Sequence, residues 1–265
     1  MSYVLVNGID LYYEEYGKGS PLMLVAGLAS DSQSWQPIVE KLSRHYRIII
    51  FDNRGSGRTK PQDAETSIQA MADDCIALIR HLNLFRVHLL GHSMGGFIAL
   101  DCAIRYPDYV SKLILVGTSA FNSKRNNALF NDWVLYREEG MHSALWFKNI
   151  FYWIFSKHFF ENSSMLETAL GLAVNYLYPQ TVKAFKNQVK ALEAFNCFEN
   201  LSHIDSETLV VFGKEDLLFP PKESIKILRT IPLLETVLIA RAAHSVQTER
   251  PQAFIRHIEA FLDSC

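Results

Sequence analysis

The chain has 265 residues, with 26 Lys and Arg against 28 Asp and Glu, a formal net charge of −2. Hydrophobic residues make up 49% and charged residues 20%, enough apolar surface for a substantial core, which excludes a disordered chain. The near-neutral balance lacks the basic footprint of a nucleic-acid binder, and the length fits one large α/β domain or one domain with an insertion.

The N-terminal Met1-Ser2-Tyr3-Val4-Leu5-Val6 has neither the basic start nor the long apolar run of a signal peptide, so the expected location is the cytoplasm. Val4 and Val6, then Ile9, Leu11 and Tyr13, flank Asn7-Gly8, the strongest short signal for a hairpin turn. Short apolar runs follow at 21–25, 47–51, 87–90, 112–116, 208–212 and 236–239. Continuous, β-branched-rich runs of this length suit strands covered on both faces. Between them, Ile68, Met71, Cys75, Ile79 and Leu82 recur every three or four residues. This predicts an amphipathic helix capped by Thr66 or Ser67 and ended near Asn83. Residues 94–105 are apolar almost all round, as in a buried helix, and stop before Pro107. Pro251 opens the last helix, with Phe254, Ile255, Ile258, Phe261 and Leu262 on its apolar face. Strands alternating with helices predict an α/β fold with a mostly parallel central sheet.

The alternation stops after Val116 and resumes at Thr208. The intervening chain is helical in character, with Gly140 and Gly171 as the expected breaks. The expected organisation is a core of residues 1–118 and 201–265 carrying an inserted helical cap of residues 119–200. The segment 144–160 is the most apolar later stretch, but Lys148, Asn149 and Lys157 interrupt it, and no membrane span is expected. Cys75, Cys102, Cys197 and Cys265 form no CxxC pair and read as thiols rather than a metal site or disulfide framework.

The sharpest chemical signal is Gly91-His92-Ser93-Met94-Gly95-Gly96, between a strand and a helix. Gly-x-Ser-x-Gly in that setting is a nucleophile elbow, a turn so tight that small residues must flank it and the serine hydroxyl is pushed clear of the sheet. Gly55-Ser56-Gly57 lacks the third glycine of a dinucleotide fingerprint, with Lys60 in its place. No P-loop and no His-Glu-x-x-His zinc motif occurs, so neither cofactor nor metal is expected.

The elbow, together with Asp52-Asn53-Arg54-Gly55-Ser56-Gly57 after an earlier strand, resembles the lidded α/β-hydrolase superfamily over nearly the whole core. The resemblance implies nucleophile, acid and histidine in that order along the chain. Ser93 is then the nucleophile. Asp216, in Gly213-Lys214-Glu215-Asp216 after a late strand, is the acid, with Glu215 as the rival carboxylate and Asp205 on the wrong side of the strand. His244 is the histidine, since His257 falls within the last helix. The family also implies an oxyanion hole from the backbone N–H groups of Met94 and Leu28, although relatives usually have His-Gly where this chain has Ala26-Gly27. His92 is expected to pack under the elbow, and Asp52 and Arg54 to brace nearby loops.

Superfamily members with an aspartate nucleophile are excluded by Ser93. Carbon–carbon bond hydrolases often carry Asn before the serine and a Gly-Pro-Gly loop, where this chain has His92 and Gly27-Leu28-Ala29. Carbon–carbon bond hydrolysis is then the alternative within the same fold, and carboxylesterases, the pimeloyl-carrier-protein methyl esterase type and enol-lactonases are the more similar groups, with a small-molecule ester, lactone or thioester as substrate. A ligand sensor that keeps the triad is the non-enzymatic alternative. Of the 32 aromatic residues, 17 lie in residues 121–200. A lid of this composition suggests an apolar acyl or aryl pocket lined by Trp133, Trp146, Phe147 and Trp153, or else a homodimer or membrane-surface patch.

Overall fold

The computed structural model describes residues 2–264. Asn7 and Gly8 both take positive φ, 44° and 77°, the left-handed pair that a two-residue hairpin turn needs. They join β1 (Ser2–Val6) to β2 (Ile9–Tyr16), with Val6 opposite Ile9. The remaining strands are β3 (Ser20–Val25), β4 (Tyr46–Phe51), β5 (Val87–His92), β6 (Val110–Val116), β7 (Glu207–Gly213) and β8 (Leu234–Ile239). They form one eight-stranded sheet in the order β1-β2-β4-β3-β5-β6-β7-β8. Only the β1–β2 and β2–β4 pairs are antiparallel.

The first helices are α1 (Gln36–Leu42), α2 (Ile68–His81) and α3 (Met94–Arg105). Between β6 and β7 come α4 (Lys124–Glu138), α5 (Ser143–Ile154), α6 (Lys157–Phe160), α7 (Ser163–Val174) and α8 (Val182–Ala194). The last are α9 (Pro221–Leu228), α10 (Val246–Glu249) and α11 (Pro251–Leu262). The two-residue period of the strands sorts the core into two layers. Leu22, Leu24, Ile48 and Ile50 pack with α1 and α11, through Ile38, Leu42, Phe254 and Ile258. Met23, Val25, Ile49 and Phe51 pack with α2 and α3, through Met71, Cys75 and Phe97. Ser67 caps α2 by accepting from the N–H of Ala70, and Asn83 follows its end at φ 54°.

β3 lies between β4 and β5, so the chain leaves β3 in one direction and crosses back past it to reach β5. The loops after β3 and β5 therefore part at the carboxyl edge of the sheet, where α/β folds leave a crevice. Gly27, Leu28, Ala29 and Ser30 after β3 and Ser93 after β5 line a cavity there.

The five helices between β6 and β7 start and finish side by side. Phe121 bridges Asn196, and Cys197 N–H donates to the Ala120 carbonyl at 3.0 Å. Gly140, at φ 77°, follows the end of α4. Gly171, expected to break a helix, instead lies inside α7. One glycine costs a helix only about 1 kcal/mol, and Leu166, Ala169, Leu170 and Ala173 offset that by packing on Phe151, Phe155 and Phe159. Cys75, Cys102 and Cys197 are buried free thiols, while Cys265 lies outside the described residues. Among the described residues, no helix is long and apolar enough to cross a membrane.

Candidate active site

Ser93 sits between β5 and α3 at φ 55° and ψ −118°, a conformation that costs a non-glycine residue about 1–3 kcal/mol. Close packing holds it there. A Cβ at Gly91 would lie 2.1 Å from the Gly95 carbonyl oxygen, and one at Gly95 2.0 Å from the Val25 carbonyl oxygen. Ser93 N–H donates to Val116 at 2.9 Å, while its carbonyl accepts from Gly96 N–H and from Thr118 Oγ, each at 2.9 Å. The sharp turn directs the Ser93 side chain into a cavity of about 250 Å³ shared with His92, His244, Gly27 and Leu28.

His244 follows β8 on a loop, and its Nδ1 lies 3.0 Å from Oδ2 of Asp216. A carboxylate only accepts, so Nδ1 carries the hydrogen and the neutral ring keeps a bare Nε2. Oδ1 of Asp216 accepts from the N–H groups of Leu218 and Phe219, each at 2.9 Å. The carboxylate is thus fixed by its own loop before it meets the histidine. Phe219 stacks on the His244 ring with centroids 5.7 Å apart. The rival Glu215 carboxylate faces His158 at 3.7 Å instead, and both Asp205 and His257 are exposed.

His92 Nε2 donates to the His244 carbonyl at 3.0 Å, and the two rings are 4.7 Å apart. Burial, reinforced by the neighbouring His244, pushes the His92 pKa down to about 3, so the ring is neutral near pH 7. Sequence alone did not place this ring against His244.

Met94 opens α3, so its amide is one of the first-turn N–H groups without an intrahelical acceptor. Leu28 follows Gly27, whose added Cβ would lie 3.1 Å from Ser93 Cβ. Asn53 holds this loop by donating to the Ala26 carbonyl at 2.8 Å. Asp52 accepts from Ser32 N–H at 3.0 Å and pairs with the buried Arg58 through Nε at 2.8 Å. Arg54 pairs with Asp74 through Nε and Nη2, each at 2.8 Å. Asp52 and Arg54 therefore brace loops, as expected. Asp31, beside them, accepts from the Tyr176 hydroxyl and from Gln33 N–H. Burial and the nearby Asp52 raise its pKa.

The cavity wall divides by origin. Phe130 and Trp133 of α4 and Phe147, Ile150, Phe151 and Ile154 of α5 supply an apolar side. Ser30 and Ser34 after β3 and Gln247 and Thr248 of α10 supply polar groups from the core. Of the four expected pocket aromatics, Trp133 and Phe147 line the cavity, whereas Trp146 and Trp153 are not among its lining residues. The reason is helical phase: 147, 150, 151 and 154 share one face of α5, and 146 and 153 fall on the next. Trp146 instead donates to the Trp133 carbonyl at 2.9 Å and packs edge-on against Phe185, tying α4, α5 and α8 together. Trp153 lies under the Arg125 guanidinium, 5.6 Å from its ring centre.

Two residues missed in the sequence complete the surroundings of His244. Glu249 accepts from Ala243 N–H at 2.8 Å through Oε1, and from Ser156 N–H at 3.0 Å and Ser156 Oγ at 2.6 Å through Oε2. Gln247 is 3% exposed, and its Oε1 has no hydrogen-bond partner among the described residues. Glu249 lies five positions beyond His244, a spacing that hints at a short helix turning back on the loop. Nothing in the sequence marks Gln247 as buried.

Residues 20–251 match the family model described as alpha/beta hydrolase fold. A protein from Agrobacterium fabrum named as a carbamate hydrolase, RutD, is 30% identical over 95% of this chain and 98% of its own length. A 2-hydroxy-6-oxo-2,4-heptadienoate hydrolase from Pseudomonas putida is 27% identical over 98% of this chain and 95% of its own. Among solved structures, an enol-lactonase from Burkholderia xenovorans LB400 superposes with a TM-score of 0.89, at 24% identity, covering 99% of this chain and 100% of that one.

Proposed function

The chain belongs to the α/β-hydrolase fold family, and from that premise we propose that it is a serine-dependent hydrolase of ester-type carbonyl compounds: carboxylic esters, lactones, thioesters or carbamates. The observation that carries this reading is the arrangement of Ser93, strained at an elbow, in one cavity with a His244 whose far nitrogen is held by Asp216. A serine hydroxyl is a weak nucleophile near pH 7 and needs a base to take its proton as it attacks. In this reading Ser93 Oγ bonds to the carbonyl carbon while its proton passes to Nε2 of His244. Asp216 keeps the ring in the tautomer that leaves Nε2 free and stabilises the cation. The backbone N–H groups of Met94 and Leu28 face the developing oxyanion, a role worth roughly 10²–10³ in turnover for one donor elsewhere. His244 then protonates the leaving oxygen as its bond to carbon breaks. A water molecule, deprotonated by the same ring, releases the acyl group and restores Ser93.

The helices 124–194 serve as a cap whose Phe130, Trp133 and Phe147 receive an apolar acyl or aryl group. The name of the Agrobacterium relative supports including carbamates among the substrates. The name of the Pseudomonas relative supports carbon–carbon bond hydrolysis as a second reading. The three free cysteines described support a reducing compartment, the cytoplasm. A panel of esters, lactones, carbamates and a ring-fission diketone, each run with Ser93→Ala, tests these readings. Turnover of the first three classes that vanishes in Ser93→Ala is expected. Turnover confined to the diketone would favour the second reading, and activity surviving in Ser93→Ala would overturn both.

A further inference from the structure

Gln247 is the one cavity-lining side chain named here that combines deep burial with an orphaned polar atom: it is 3% exposed and Oε1 meets no partner among the described residues. A buried carbonyl oxygen left unpaired costs about 1–3 kcal/mol; Oε1 is occluded as it stands, and the cost is relieved when the carboxamide turns that oxygen into the cavity toward a donor on a ligand. Nothing bonded to Oε1 is lost when the carboxamide turns about its terminal torsion, which is broad and two-fold. The oxygen can therefore swing to meet a bound group. Gln247 stands three residues beyond His244, on the wall opposite in character to the aromatic face of α4 and α5.

We propose that Gln247 is a specificity-determining residue that accepts a hydrogen bond from the substrate. It would select acyl groups bearing an N–H or O–H beside the reacting carbonyl over isosteric acyl groups with CH₂ in that place. The inference rests on the serine-hydrolase reading of the same cavity and adds the polarity of the acyl portion to it. An apolar leaving or acyl tail would sit against Phe130, Trp133 and Phe147, and the donor would sit against Gln247.

The test uses two substrates that differ in one group: benzyl N-methylcarbamate, with N–H next to the carbonyl, and benzyl propanoate, with CH₂ there. Because the two carbonyls differ in intrinsic reactivity, the readout is the ratio of their kcat/KM values in wild type divided by that ratio in Gln247→Met. Methionine keeps the length and removes the acceptor, and Gln247→Leu serves as the second variant should Gln247→Met fold poorly. That quotient is expected to be about ten, the effect of one neutral hydrogen bond near the upper end of its range, and to arise mostly from a lower carbamate kcat/KM in the variant. The same pair is titrated calorimetrically against Ser93→Ala and against Ser93→Ala combined with Gln247→Met, so the comparison does not depend on turnover. Tighter binding of the carbamate that disappears with Gln247 is the expected result. Equal ratios and equal Kd values with and without Gln247, or binding of neither compound, would overturn the proposal. Turnover that persists in Ser93→Ala would instead overturn the serine reading on which it rests.

Discussion

His92 donates its Nε2–H to the carbonyl oxygen of His244, and the two imidazole rings lie 4.7 Å apart. A second cation at that distance would oppose the charge that the proposed mechanism places on His244. Burial prevents it by pushing the His92 pKa down to about 3. The folded state thus binds this proton less readily than the unfolded chain does, whose histidine titrates near 6.5. The stabilisation is complete above about pH 6.5 and is lost as pH falls toward 3. Relative to His92→Phe, the wild type should lose up to about 1.4 kcal/mol per pH unit over that window, measured by urea unfolding at a series of pH values. In nuclear magnetic resonance titrations the His92 ring should show no protonation between pH 5 and 8. A midpoint near 6.5 would contradict the account.

Asp216→Asn should separate the two jobs of that side chain. The Oδ1 bonds to Leu218 and Phe219 can persist, so the loop and the melting temperature should hold nearly unchanged. The new amide N–H would face Nδ1 and drive the ring hydrogen onto Nε2, blocking the base. A fall of about 10³–10⁴ in kcat is expected; a loss below tenfold would remove Asp216 from the mechanism.

Glu249 joins the histidine loop to the end of α5 and the start of α6, through Ala243 on one side and Ser156 on the other. Glu249→Ala strands those donors and should cost roughly 2–4 kcal/mol in stability. Glu249→Gln keeps an acceptor for Ala243 and should cost about half as much. Because Ala243 adjoins His244, kcat should fall further in the alanine variant than in the glutamine one. Unfolding curves and steady-state rates, taken together, decide this.

Two glycine-to-alanine changes should act in opposite directions. At Gly95 the added methyl would lie 2.0 Å from the Val25 carbonyl oxygen, so Gly95→Ala should unfold the elbow or cost more than about 3 kcal/mol. At Gly171 nothing lies within 4 Å, and the residue is helical, so Gly171→Ala should stabilise by about 0.5–1 kcal/mol. Thermal melts report both.

That contrast also explains what the sequence could reveal. Gly91 and Gly95 are legible because a strand-to-helix turn of this tightness excludes every side chain at those positions, a purely local constraint. Gly171 misled because its fate rests on distant Phe151, Phe155 and Phe159. The alternating sheet, the helix cap at Ser67 and the terminal helix at Pro251 were likewise local and readable. Asp216 and His244 were placed by chain order, and the structure brings them within hydrogen-bonding distance. Trp146 and Trp153 were misplaced because aromatic content counts rings without fixing helical phase. Gln247, the Ser156 side of Glu249 and the Asp31–Tyr176 contact were invisible because each owes its environment to a segment remote along the chain.

The bridge between Phe121 and Asn196, with the Cys197–Ala120 hydrogen bond beside it, has a further consequence. The sheet sees 121–196 as a loop whose two ends are already tied, and the entropy of closing a loop rises only logarithmically with its length. The helical segment should therefore tolerate changes of length at that seam while β6 and β7 stay in register, provided ties to the core such as Ser156–Glu249 are kept. In the proposed reading, substrate range and reaction chemistry would then be free to change on separate schedules, one carried by the inserted helices and the other by the loops below them.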